Sequence, residues 1–213
     1  MNHHRTPVTS VCALSALLAG ALLLAAAPIR AEPRQYVIDP EHLSIGFLTD
    51  HIGYAGTLGM FRKAEGSFTF DEETGQLSNL RVAVDTASVF TNNDRRDKHL
   101  RDDDFLDVKK HPQMTFVAAQ GGPFRIGETA PLAGELTLLG VTLPLTLQVT
   151  WNKSATSPVP PAPYVLGASA RGTLKRSAFG MTYAVENGWV GDEVELIIEV
   201  EARRQFDSQA QQQ

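Results

Sequence analysis

EVELIIEVEA, residues 193–202, decides the fold class. Val194, Leu196, Ile198, Val200 and Ala202 fall on one side of an extended chain, and Glu193, Glu195, Glu199 and Glu201 on the other. A strand separates these two sets completely, whereas a helix would spread the acids around its circumference. The same rhythm recurs upstream. In residues 142–151, Leu143, Leu145, Leu147, Val149 and Trp151 alternate with Thr142, Pro144, Thr146, Gln148 and Thr150. Pro144 has no amide hydrogen to give a ladder, so it is expected at a strand start, an edge or a bulge. In residues 132–139, Leu136 and Leu138 alternate with Glu135 and Thr137. Further alternating runs cover 66–70, 80–84, 114–118 and 164–174, with shorter candidates at 36–38 and 44–49.

Turn residues separate these runs. Asp71-Glu-Glu-Thr-Gly75 reads as a hairpin loop with glycine at a left-handed position. Gly121-Gly-Pro123, Leu139-Gly140 and the residues 189–192 read as further turns, and 154–163 as a proline-rich surface loop. Many short strands without a long helical pattern predict an all-β fold, an antiparallel barrel or sandwich in one domain. The only stretch suited to a short helix is TNNDRRDKHLRDDDFLDVKKHP, residues 91–112. Asn93 or Asp94 is expected to cap one turn there and Asp102 another, with Leu100, Phe105 and Leu106 as apolar anchors.

The interior is oily. One strand face carries Phe68 and Phe70, another Met114 and Phe116, a third Leu143, Leu145 and Leu147. Ala168, Ala170 and Gly172 share a face where small side chains would leave space. An eight-stranded barrel either fills such an interior with side chains or holds one ligand, and periodicity alone does not decide between them.

The first 31 residues read as a secretory signal peptide: a short, weakly basic start, a Leu/Ala-rich run over 11–27, and Ala31 before the cleavage point. The run is short for a membrane span. Removing 1–31 takes away the one cysteine, Cys12, together with Arg5 and Arg30. The remaining chain then has 17 basic against 24 acidic side chains, a net charge of −7 with His neutral, and no thiol. That balance argues against nucleic acid as a partner and against electrostatic attachment to an anionic membrane. The expected organisation is a signal peptide over 1–31, a barrel domain over 32–204 and a disordered tail over 205–213.

The charged stretch at 91–112 fits no common chemical motif. Its acids lack the glycine and terminal glutamate of a calcium loop, and its histidines lack zinc spacing. No Gly-x-Ser-x-Gly elbow occurs in the chain. The stretch reads best as a lid over one barrel end, its acids and bases neutralising one another, with Arg96 and His99 facing the rim where a polar head group would sit.

At these residues the chain resembles the YceI-like family of exported proteins. Thr91-Asn92, Arg96-Asp97, His99-Leu100 and Asp104-Phe105 follow in the order of its central motif. Downstream come Pro112 and Phe116, the run 134–138 with Gly140-Val141, and Arg176 followed by Phe179-Gly180. Upstream, Asp39, His42, Ser44, Phe47 and His51 match its opening strand. Residues 53–60 depart from it, with three glycines where the family shows a tighter strand pair. The resemblance implies an extended, lipocalin-like antiparallel barrel of about eight strands with a short helical lid. It implies a periplasmic, often dimeric protein without catalytic residues. Its apolar channel would bind a long isoprenoid lipid, a quinone or polyprenyl phosphate, as carrier or reservoir. No cofactor or metal is expected, and membrane contact would be transient, during lipid exchange.

The motifs do not specify lipid contacts. These are read from inward apolar positions: Phe47, Phe68, Phe70, Val82, Val84, Met114, Phe116, Leu136, Leu138, Leu145, Leu147, Ala168, Ala170 and Phe179. Head-group or lid roles fall to Arg96, Asp97, His99, Leu100, Phe105 and Arg176. Two alternatives stand beside this reading: an enzyme acting on a lipid head group through His99 with Asp97 or Asp104, and a barrel packed solid that acts as a stress or partner-binding protein.

Overall fold

The computed structural model describes Met1 and residues 32–206; the expected signal peptide and most of the expected tail lie outside the described residues. Ten strands follow one another: β1 (Arg34–His51), β2 (Ala55–Phe61), β3 (Ala64–Asp71), β4 (Gln76–Asp85), β5 (Val89–Phe90), β6 (Gln113–Gly121), β7 (Thr129–Leu138), β8 (Val141–Thr156), β9 (Tyr164–Lys175) and β10 (Val190–Arg204). Among the described residues one helix, α1 (Asp94–Arg101), lies between β5 and β6, and short 3-10 turns occupy Thr86–Ser88 and Arg176–Phe179. Strands β1, β3, β4, β6, β7, β8, β9 and β10 pair in that order, and β10 returns to β1, so eight strands close a ring. β2 and β5 are added outside it.

β1 serves two neighbours along one edge. Its start, Arg34 to Val37, pairs with β3, and its end, Ile45 to His51, pairs with β2. Along the other edge it follows β10, but the register slips between Ile38 and Leu43, with five steps on β1 against two on β10. The odd difference changes which parity faces inward. Tyr36 and Ile38 are buried before the slip, and Leu43, Ile45 and Phe47 line the interior after it. The sequence rhythm therefore breaks phase, and one 18-residue strand reads as two short runs.

β2 gives almost no rhythm because its glycines yield space to β1. A Cβ on Gly59 would lie 2.2 Å from the Phe47 ring, and one on Gly56 2.6 Å from a Leu48 methyl. The pairing of β2 with β1 is nevertheless unbroken from Ala55 to Phe61. Two turn assignments shift. Residues 154–156 belong to β8, paired with Leu166 to Tyr164, and 190–192 belong to β10. Pro144 lies in the part of β8 that pairs with β7 alone, where no β9 ladder needs its amide. The hairpins form as expected: Gly75 has φ +70 and its amide reaches the Asp71 carbonyl at 2.8 Å, while Leu139-Gly140 makes a two-residue turn with both φ positive.

Candidate ligand-binding site

The barrel interior is not packed solid. Among the described residues, cavities of about 640 and 180 Å³ lie inside it. The larger sits under α1 and the loop 181–190; the smaller continues down the barrel. Ile45, Met114, Leu174 and Leu196 line both, so the two chambers adjoin at that level.

The inward apolar positions divide between them. Phe47 and Leu138 line the upper chamber, and Met114 the junction. Phe68, Phe70, Val82, Val84, Phe116, Leu136, Leu145, Leu147, Ala168 and Ala170 line the lower. Phe179 is buried but lines neither. Gly172 does not leave a void, because a Leu147 methyl occupies the place of its Cβ. Among the lid residues, Arg96, His99, Leu100, Phe105 and Arg176 line the upper chamber, whereas Asp97 does not.

The lid is built from the helix cap upward. The Asn93 side chain caps α1 by accepting from the Arg96 amide at 3.0 Å. Asp102 closes the helix as its C-cap, and a turn through Phe105, not a second helix, follows. Thr91, buried ahead of the helix, is held from two sides. Its amide and hydroxyl both donate to buried Asp97, and Arg96 donates to its hydroxyl at 2.7 Å and its carbonyl at 2.6 Å. Arg101 reaches across to the carbonyls of Ala87 and Val89. The expected mutual neutralisation of acids and bases is thus largely replaced by side-chain grips on backbone. The side-chain contacts to acids described in the stretch include the His99–Asp104 hydrogen bond and the Lys110–Asp107 ion pair.

Arg176 holds the other half of the closure. It is 2% exposed, and its guanidinium donates to the carbonyls of Met181, Tyr183, Val190 and Gly191 at 2.7–3.0 Å. Burial pushes its pKa down, with Asp192 acting in the opposite sense. Asp192 in turn accepts from the Ser177 amide and hydroxyl. An aromatic trio joins the two halves: His99 meets Phe105 and Tyr183 edge-on, each at 5.0 Å, and Arg176 lies 5.8 Å over Phe105. The rim around this trio carries exposed His51, Ile52, Asn93, Arg95 and Trp189. The loop residues among these, and Met181 and Tyr183, escape sequence reading because loops carry no period. Their one signal is the density of apolar and aromatic residues between Gly180 and Gly191.

The opposite end is plugged. Tyr36 stacks on Phe68 at 5.3 Å, and Phe70 meets Trp151 edge-on at 4.9 Å. Both Tyr36 and Tyr164 donate their hydroxyls to Glu72, and Arg204 lies 3.9 Å over the Tyr164 ring. Burial first, and then the Glu72 contact, push the Tyr36 hydroxyl above the ordinary tyrosine range.

A closed eight-stranded antiparallel ring around an apolar lumen, roofed at one end and plugged at the other, defines a lipocalin-like barrel. Comparison narrows this further. The YceI-like domain model matches residues 36–202, and the chain belongs to that family. A UPF0312 protein of Pectobacterium carotovorum is 38% identical over 192 residues, covering 90% of this chain and 97% of the relative. The Campylobacter jejuni YceI protein structure superposes with a TM-score of 0.64 at 30% identity, over 74% of this chain and 90% of that one. A polyisoprenoid binding domain from Saccharophagus degradans, implicated in plant cell wall breakdown, shares the fold with a TM-score of 0.59 at 12% identity, over 82% of this chain and all of that one.

Proposed function

We propose that this protein binds a long-chain isoprenoid lipid in its barrel lumen and serves as a non-catalytic periplasmic carrier or reservoir. The observation that carries the reading is the pair of adjoining apolar chambers inside a closed sheet. A chamber of about 640 Å³ lies within the usual ligand-site range of roughly 300–1,000 Å³. Each five-carbon unit buried contributes roughly 3–4 kcal/mol gross at ~0.8 kcal/mol per carbon group. Chain ordering reduces this toward ~0.3 kcal/mol per atom. A few units suffice for firm binding without a strong polar anchor. The polyisoprenoid binding domain that shares the fold supports the same ligand class. Arg95 and His99 at the rim are suited to a polar or anionic head group, of a quinone or a polyprenyl phosphate, while Arg96 is engaged with Thr91. Export rests on the leader read in residues 1–31. Homodimerisation and brief membrane contact belong to the same proposal.

Native mass spectrometry and solvent extraction of protein taken from its own periplasm test the reading. The expected result is an isoprenoid in stoichiometric amount and a chain beginning after Ala31. Repeated recovery of no lipid, with no uptake of added prenols, overturns it.

One geometric fact favours a second reading, an enzyme acting on the head group. His99 is hydrogen-bonded through Nε2 to Asp104 at 2.8 Å beside the chamber, while Asp97 is committed to Thr91. Loss of prenyl phosphate turnover in His99→Ala with binding retained would establish that reading over the carrier.

A further inference from the structure

We propose that Met114 sets the length of chain that the lumen accepts, an inference that rests on the isoprenoid reading. In the ring of eight strands, β6 lies opposite β10, which is flanked by β1 and β9. Met114 on β6 therefore lies across the ring from the strands that carry Ile45, Leu196 and Leu174, each of these offset by two residues from its neighbour's register partner. These four side chains form the waist between the chambers.

The chambers are unequal, about 640 against 180 Å³. An apolar cavity of roughly 150 Å³ takes one benzene-sized guest. On that scale the lower chamber holds about one five-carbon unit, and the upper about three or four. A short chain is housed above the waist. A longer one must pass it, and a side chain at the waist has to move. Ile45 is β-branched and stiff at its first torsion. Met114 has three rotatable bonds and a soft thioether, and it sits half-buried at the second position of β6. It is the member of the waist best able to swing aside, and its bulk decides what enters the lower chamber.

The test is displacement of dansylated farnesol by a ladder of all-trans prenols from geraniol to solanesol, with thermal melts to confirm folding. Met114→Ala is expected to raise affinity for the long prenols by about tenfold while moving geraniol less than about twofold, since one added unit in apolar contact is worth that much. Met114→Trp is expected to weaken the long prenols by a similar factor and spare geraniol. If the tryptophan variant does not fold, the alanine variant decides alone. A parallel shift of every length, or no shift, overturns the gate while leaving the isoprenoid reading intact. Failure of the unsubstituted protein to bind any prenol removes the reading itself.

Discussion

The two ends of the barrel are closed by different means. At the plugged end, large aromatic side chains fill the lumen: Tyr36 on Phe68, Phe70 against Trp151, with Phe124 also buried. At the roofed end, arginines hold backbone. Arg96, Arg101 and Arg176 together donate to the carbonyls of Thr91, Ala87, Val89, Met181, Tyr183, Val190 and Gly191. Closure from within consumes the space it closes. Closure from the rim leaves the space beneath it empty, and the larger chamber lies there.

This contrast can be broken most forcefully at the plug. Phe70→Ala removes a side chain only 3% exposed and should cost about 3–5 kcal/mol in chemical denaturation. Its loss should enlarge the lower chamber and leave the lid untouched. Arg176→Ala removes an arginine donor from four carbonyls, of which Gly191 keeps a longer bond from the Thr49 hydroxyl, and should cost about 2–3 kcal/mol. Amide exchange should then rise across 181–191 and not in β3 or β8. Arg176→Lys should not rescue it, because a single ammonium cannot match the planar fork. Gly59→Ala forces the Phe47 ring to move at the edge of the upper chamber and should cost about 1–3 kcal/mol, read from a melt.

The smallest effect concerns neither end but the β1 bulge between them. Burial alone would push Asp39 up, yet hydrogen bonds from His42, the Glu41 amide and Arg203 hold it below the usual carboxylate range. The hydrogen bond to Asp39, then the Glu201 charge, push His42 above its ordinary value. The Asp39 contribution is present above about pH 3.9 and lost as pH falls through its lower folded value. The His42 contribution is present below about pH 6.5 and lost as pH rises through its higher folded value. The melting-temperature difference between the native chain and His42→Gln should therefore be largest between those limits and fade on both sides. A flat difference from acid to alkaline pH would refute the coupling.

Seven of the eight barrel strands were legible because inward apolar and outward polar residues alternate along them, as Val194 to Ala202 show most clearly, whereas β1 reads as two short runs because its phase breaks at the bulge. β2 was not legible, since Gly56 and Gly59 carry no side chain to mark a face. The lumen lining was largely legible for the same reason as the strands. The roles of the charged stretch were less so. Thr91, Asn93, Arg96 and Asp97 form a helix anchor, and one-dimensional spacing does not separate an arginine gripping its own backbone from one awaiting a ligand. Phe179, counted among the inward positions, sits in a 3-10 turn where period two has no meaning.

A captured carbonyl belongs to no particular amino acid. At positions 87 and 190 the roof is fastened through atoms that every residue type supplies, so the side chains there are free to diverge without unfastening it, whereas Val89 is also buried and Tyr183 also belongs to the aromatic trio. Rim chemistry can accordingly be retuned toward a bulkier or differently charged guest by substitution at the loops alone, while the arginines beneath remain fixed.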